Sequence, residues 1–274
     1  MRVVIINNQS EKSVQVSNRL RELLIKEDMV LDPLLPEIVI SVGGDGTLLS
    51  AFHRYAHILD KVRFIGVHTG HLGFYTDWRE YNLNNLVKQI VNDNQESVQY
   101  PLLDVIIKYT DKEEEKHYLA LNESILRFNN GTLVCDVYIR DELFERFRGD
   151  GLCVSTPTGS TGYNKSVGGA VLHPRLEALQ ITEIASLNNR VFRTLSSPIV
   201  IAPDEWITLK PMNTSTISLS VDQLSTTEEN VEEVKLRIAD ERIYFARYNH
   251  THFWDRVENA FLGVKNHNEV DMDS

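Results

Sequence analysis

The sequence predicts an α/β domain on a parallel sheet followed by a β-rich second domain, and three observations carry that expectation. Over residues 1–98, apolar strand-type runs alternate with amphipathic helical patterns, the signature of βαβ units. Over residues 99–250, short β-type runs recur with turn residues between them. Finally, the apolar run Ile38-Val39-Ile40-Ser41-Val42 delivers Gly43-Gly44-Asp45-Gly46-Thr47 into a helix-type stretch starting at Leu48-Leu49. Residues 251–274 then form a C-terminal helix and a polar tail, the helix being expected to pack back on either domain.

Val3 to Ile6 reads as a buried strand, and Val14, Leu20, Leu23 and Leu24 share a helical face between Val14 and Ile25. A second strand, Ile38 to Val42, precedes a helix from Leu48 to Leu59, and Val62 to Val67 forms a third strand. Ligands of parallel sheets gather at the carboxyl ends of strands, where both Gly43 to Thr47 and His68 to Phe74 lie. In the second domain the strand-like runs are Leu102–Tyr109, Tyr118–Leu121, Leu133–Arg140, Ile199–Ala202, Trp206–Lys210, Ile217–Val221, Val234–Ile238 and Arg242–Tyr248. Phe253, Trp254, Val257 and Phe261 restore helical spacing, and the polar residues beyond Gly263 read as a loose tail.

Composition narrows the classes of function. A chain of 274 residues with 42% hydrophobic content builds substantial cores, and a net charge of −11 argues against nucleic acid or an anionic membrane as the main partner. The two cysteines, Cys135 and Cys153, lack metal-ligand or Cys-x-x-Cys spacing, which fits a reducing cytoplasm. The start carries too short an apolar run for a signal peptide, and no stretch approaches membrane-spanning length.

Glycines between a strand and a helix let backbone N–H groups approach a bulky anion, which makes Gly43 to Thr47 a phosphate site by pattern. Asp45 breaks that pattern. A carboxylate among phosphate-binding amides suits an acceptor for the proton of an attacking hydroxyl, or a metal contact, so the motif suggests phosphoryl transfer to an alcohol. A helix-capping aspartate in a tight turn is the plainer alternative. The hydroxyl-rich block Gly149 to Ser166, with one aromatic face at Tyr163, suits a nucleoside. Asn164 stands where a P-loop requires glycine, and Leu49 replaces the third glycine of a dinucleotide fingerprint, so both of those motifs are rejected. Asn122-Glu123, after Tyr118 to Leu121, pairs an amide with a carboxylate that match a ribose or purine edge, and alone the pair reads as a strand-end turn.

In this order, Gly43-Gly44-Asp45-Gly46-Thr47, Asn122-Glu123 and Thr156-Pro157-Thr158-Gly159-Ser160-Thr161 resemble the NAD kinase family across most of the chain. The resemblance implies transfer of a phosphoryl group from ATP or polyphosphate, with Mg2+ or another divalent cation, to the adenosine-ribose 2′-hydroxyl of NAD to make NADP. By the same resemblance Asp45 is the catalytic base, beside Gly44, Gly46 and Thr47. Asn122 and Glu123 hold the adenosine portion. Arg148 and Asp150 meet the dinucleotide, and Thr158, Thr161, Gly162, Tyr163, Asn164, Lys165 and Ser166 belong to the adenine pocket. Ala185 and the Asp222-Gln223 pair are weaker matches, and Phe74 and Tyr75 add apolar walls. No side chain is assigned as a metal ligand. The resemblance also implies a homo-oligomer, a tetramer, while the acidic charge argues for no nucleic-acid and no membrane partner. Two departures stand out: Gly162 where the family usually carries alanine, loosening a helix start by up to ~1 kcal/mol, and Gln223 directly after Asp222.

Two rival readings remain at this point. A lipid kinase shares the Gly-Gly-Asp-Gly-Thr loop but needs a membrane-facing apolar or basic surface, and a dinucleotide sensor needs no Asp45. His53 and His57, four apart on a predicted helix, read as surface histidines, whereas His68 and His71 allow either substrate contact or a structural turn. The charge run Asp111 to Lys116 reads as a solvated hairpin loop.

Overall fold

A computed structural model of the protein describes residues 1–70, 73–248 and 252–263. His71 and the tail beyond residue 263 lie outside them. The chain divides into two compact units, the first made of Met1–Ala51, Val62–Ser97 and the segment from Phe245 onward, the second of Phe52–Lys61 and Val98–Tyr244. The sequence places the divisions at 98/99 and 250/251; contact boundaries fall at 97/98 and 244/245, and Phe52–Lys61 joins the second unit.

Unit 1 is α/β. Its strands are β1 (Arg2–Asn7), β2 (Val30–Leu31), β3 (Ile38–Gly43), β4 (Arg63–His68) and β5 (Trp78–Arg79), paired in parallel in the order β2-β1-β3-β4-β5. All six residues of β3 are buried, as expected of a central parallel strand covered on both faces. Helix α1 (Glu11–Lys26) starts where the Ser10 side chain accepts the Ser13 N–H, and it buries Val16, Leu20 and Leu24. Helix α2 (Asp45–Tyr55) opens at the glycine turn and passes into a 3-10 segment, Ala56–Lys61. The sequence reading lacks α3 (Leu83–Val91), although Leu83, Leu86, Val87 and Ile90 lie at helical spacing and are buried. Leu20, Leu24, Ile38, Ile40, Ile65, Leu83, Leu86 and Ile90 share one core.

Unit 2 is mostly β, in two sheets. In the first, β9 (Leu133–Ile139) lies between β10 (Glu142–Gly149) and β14 (Trp206–Pro211), which pairs with β17 (Val231–Ala246). The strand β6 (Ser97–Tyr109) pairs with β17 and with β7 (Lys116–Ala120). In the second, β13 (Ile199–Ile201), β12 (Leu179–Ile184), β11 (Gly151–Ser155), β8 (Glu123–Arg127), β15 (Ile217–Val221) and β16 (Leu224–Glu228) form an antiparallel sheet in that order. Leu103, Val105, Leu126, Val137, Phe147, Leu152, Leu179, Leu209, Leu219 and Leu236 belong to a shared core.

Three expectations are corrected here. The separate strands Val234–Ile238 and Arg242–Tyr248 are one strand, because backbone pairing carries straight through the charged residues Asp240, Glu241 and Arg242. The turn expected at Asn122-Glu123 leads directly into strand β8, whose apolar run the polar pair masks. Lys116 is no loop charge: its ammonium sits 2.9 Å from the buried Glu228 carboxylate, which also accepts the Tyr109 hydroxyl at 2.7 Å. Both cysteines are free and buried, and burial pushes both thiols up. No described helix is long and apolar enough to cross a membrane.

Candidate functional site

The residues singled out by sequence fall in both units.

In unit 1 the centre is Asp45, the first residue of α2, which follows the Gly43-Gly44 turn. Gly43 is glycine for steric reasons: a Cβ there would lie 2.2 Å from the Thr47 hydroxyl. The Asp45 carboxylate accepts two backbone N–H groups, Phe74 on Oδ2 at 2.9 Å and Tyr75 on Oδ1 at 3.1 Å. Two donors from consecutive residues fix both oxygens of one carboxylate, so its direction is set by the 73–76 turn rather than by solvent. That turn leaves no room beside Asp45, since a Cβ on Gly73 would stand 2.2 Å from Oδ1. The Phe74 ring lies 6.3 Å from Phe253 and 5.8 Å from Phe261 of α5 (Phe253–Phe261), and Tyr75 stacks on Phe245. The two aromatic walls expected from sequence therefore have their rings engaged with the C-terminal segment.

His68, at the end of β4, is buried; burial lowers its pKa, its Nδ1–H donates to Gly70 O at 3.0 Å, and its Nε2 has no partner among the described residues.

In unit 2 the organising group is Asp222. It sits at φ +51° in the two-residue turn joining β15 to β16, and its side chain is fully buried. Its carboxylate accepts the N–H groups of Leu121 (3.0 Å), Asn122 (2.7 Å) and Glu123 (3.3 Å), while its own N–H donates to Glu123 O at 2.9 Å. His53 Nε2 lies 2.9 Å from Asp222 Oδ2 with its side chain 16% exposed, so His53 is not the surface histidine its sequence context suggests. The weaker sequence match thus holds the stronger one in place, and Gln223 is exposed beside it.

On its other side the Asn122-Glu123 turn meets the threonine-rich segment. Thr156 N–H donates to Asn122 O at 2.8 Å, and the Thr156 and Thr158 hydroxyls donate to Leu121 O at 2.6 and 2.9 Å. Thr161 donates to Thr158 O at 3.3 Å. With their protons spent on backbone carbonyls, these hydroxyls can meet a ligand as acceptors only. Gly162 lies beside the pair, a Cβ there reaching within 3.3 Å of Glu123 Oε2.

Tyr163 opens α4 (Tyr163–Ser166), and its hydroxyl bonds the guanidinium of Arg127, which also stands over the ring. Arg127, at the end of β8, is a partner of Tyr163 that sequence reasoning missed. Asn164 is fully buried, accepts the Thr182 hydroxyl at 2.7 Å and faces Gly169, while its Nδ2 has no hydrogen-bond partner among the described residues. Lys165 and Ser166 are exposed. Arg148, Asp150 and Ala185 come together at the ends of β10 and β12: Asp150 N–H donates to Ile184 O at 2.9 Å, and a Cβ on Gly149 would lie 2.9 Å from Ala185 O. The Arg148 guanidinium lies 4.2 Å from the centre of the Phe192 ring.

Glu123 is the electrostatic anomaly. It is 7% exposed with Oε2 buried and lacking a hydrogen-bond partner among the described residues, and burial, then the charge of Asp222, push its pKa up to about 8. Near neutrality the carboxyl keeps its proton and presents an O–H. The folded state then binds a proton that the unfolded chain releases above its ordinary value of 4.5, so stability falls as pH rises from about 4.5 to about 8. Thermal melts across that range are expected to show this decline in the native chain and a flatter profile in Glu123→Gln.

The family model for the ATP-NAD kinase N-terminal domain matches residues 7–95, and that for the ATP-NAD kinase C-terminal domain matches residues 121–248. The chain belongs to the NAD kinase family. It is 59% identical over 265 residues to a NAD kinase of Latilactobacillus sakei, covering 97% of this chain and 99% of the relative. It is 60% identical over 263 residues to a NAD kinase of Enterococcus faecalis, covering 96% and 99%. Two solved structures share the NAD kinase fold: a yeast NADH kinase complexed with NADH (TM-score 0.84, 20% identity, 97% of this chain and 88% of the other) and a NAD kinase from Archaeoglobus fulgidus in complex with ATP (TM-score 0.75, 23% identity, 93% and 96%). The C-terminal match disposes of the lipid-kinase reading, which shared only the Gly43 to Thr47 loop.

Proposed function

We propose that the chain transfers the γ-phosphoryl group of ATP to the adenosine-ribose 2′-hydroxyl of NAD, giving NADP and ADP. Family membership supports the reaction, and the observation that carries the chemistry is the Asp45 carboxylate, aimed by the Phe74 and Tyr75 amides. Asp45 accepts the proton as the ribose oxygen attacks phosphorus, a contribution of about 10² to 10⁴ in rate. The Asn122-Glu123 turn and the Thr158 to Tyr163 segment bind the adenosine portion. The neutral Glu123 carboxyl donates where an ionised one would repel phosphate oxygens. Arg148 and Asp150 contact the rest of the dinucleotide.

Among the described residues no group of three or more His, Cys, Asp or Glu side chains is arranged to hold a metal ion. A divalent cation such as Mg2+, carried with ATP, would supply neutralisation of the charge on the transferring group. By resemblance to the family, the reading extends to a cytoplasmic homotetramer and leaves polyphosphate as an alternative donor. Incubation of the pure protein with ATP, Mg2+ and NAD, followed by enzymatic detection of NADP, tests the assignment; no NADP above a no-enzyme control overturns it.

A further inference from the structure

The C-terminal helix carries a buried cation that the reaction above does not use. Arg256 of α5 is 5% exposed, and its guanidinium is divided among three acceptors of a single turn: Nη1 donates to Gly73 O at 2.8 Å and to Thr76 O at 3.2 Å, while Nη2 bonds the Asp77 carboxylate. The same turn is closed internally by the Gly73 N–H on the Thr76 hydroxyl at 3.1 Å. Its next two N–H groups, Phe74 and Tyr75, are those that bond Asp45. From the same helix Phe253 and Phe261 flank the Phe74 ring. A guanidinium is a rigid fork, so three acceptors on it constrain the path of the backbone between Gly73 and Asp77 far more tightly than a point charge would. The tolerance at the far side is small, because Gly73 already stands where a single added carbon would strike Asp45.

We propose that Arg256 is a positioning residue for the phosphoryl transfer, setting the direction of the Asp45 carboxylate through the Gly73–Asp77 turn. The inference rests on the assignment of Asp45 as proton acceptor. A remote contact of this kind affects turnover because a displacement of about 1 Å in a catalytic group costs on the order of 10²-fold in rate.

The test is a double-mutant cycle in the full chain, with kcat and the KM for NAD measured for Arg256→Ala, Arg256→Lys, Asp45→Asn and the paired variants. Arg256→Ala is expected to lower kcat by about tenfold or more with the KM for NAD within about threefold, and Arg256→Lys, which keeps charge but loses the fork, to fall between. In the Asp45→Asn background, either Arg256 substitution is expected to change kcat by less than about twofold, since the group it aims is gone. Should Arg256→Ala not fold, the Lys variant carries the same cycle. Equal losses in both backgrounds, or an unchanged kcat for folded Arg256 variants, overturn the inference and leave the Asp45 assignment standing. Near-native turnover by Asp45→Asn alone overturns that assignment, and the inference with it.

Discussion

Replacing Asp45 with asparagine is expected to lower kcat by about 10² to 10⁴ while the KM for NAD changes by less than about threefold. The substitution is nearly isosteric, and the amide oxygen of asparagine can still accept one of the two N–H groups that hold the carboxylate. The other position becomes an NH2 group facing the Phe74 or Tyr75 N–H, donor against donor. Local strain follows, so a melting curve belongs beside the kinetics. A modest fall in Tm with a large fall in kcat is the expected pairing, because the cost to folding of one lost hydrogen bond is about 0.5–1.5 kcal/mol whereas the loss of a proton acceptor acts on the barrier alone. Steady-state rates at saturating NAD and ATP decide it: turnover within about threefold of the native chain would remove Asp45 from the chemistry.

How much of this was legible in the sequence depends on the range of the contacts involved. The strand-turn-helix junction at Gly43 to Thr47 is local, and its residue types announced it. Asn122-Glu123 and the threonine block were also visible as local clusters. What holds them was not. Asp222 lies about 100 residues along the chain from the N–H groups it binds, and His53 lies 169 positions from Asp222. Arg256 reaches Gly73 across 183 positions and sits on a helix whose other residues read as an ordinary amphipathic face. Such contacts leave no periodic trace. The one hint was a positional oddity, an aspartate in a two-residue hairpin turn, which tolerates the positive φ that Asp222 adopts. Thr158 shows the same limit: the sequence marks its hydroxyl but not that it donates to Leu121 O, 37 positions away.

The glycines of the threonine-rich turn give the second large effect. Gly159→Ala is expected to raise the KM for NAD by about tenfold or more and to destabilise the fold by roughly 1–3 kcal/mol, whereas Gly162→Ala, three residues on, is expected to be close to neutral. A Cβ on Gly159 would stand 2.0 Å from the carbonyl oxygen, 2.4 Å from the carbonyl carbon and 2.6 Å from the Cα of Asn122, all of them backbone atoms. Backbone cannot swing aside as a side-chain tip can. Asn122 is moreover held at its N–H by Asp222 at 2.7 Å and at its carbonyl oxygen by Thr156 N–H at 2.8 Å, so the added carbon must push apart segments that hydrogen bonds draw together. Separation moves Asn122 and Glu123, which is why a binding defect accompanies the loss of stability. At Gly162 the nearest atoms are Glu123 Oε2 and Gly159 O, each at 3.3 Å, and a shift of a few tenths of an ångström relieves both. Thermal melts and NAD saturation curves for the two variants side by side test the argument. Equal behaviour at the two positions would mean that close packing between the threonine turn and Asn122 does not govern the adenosine pocket.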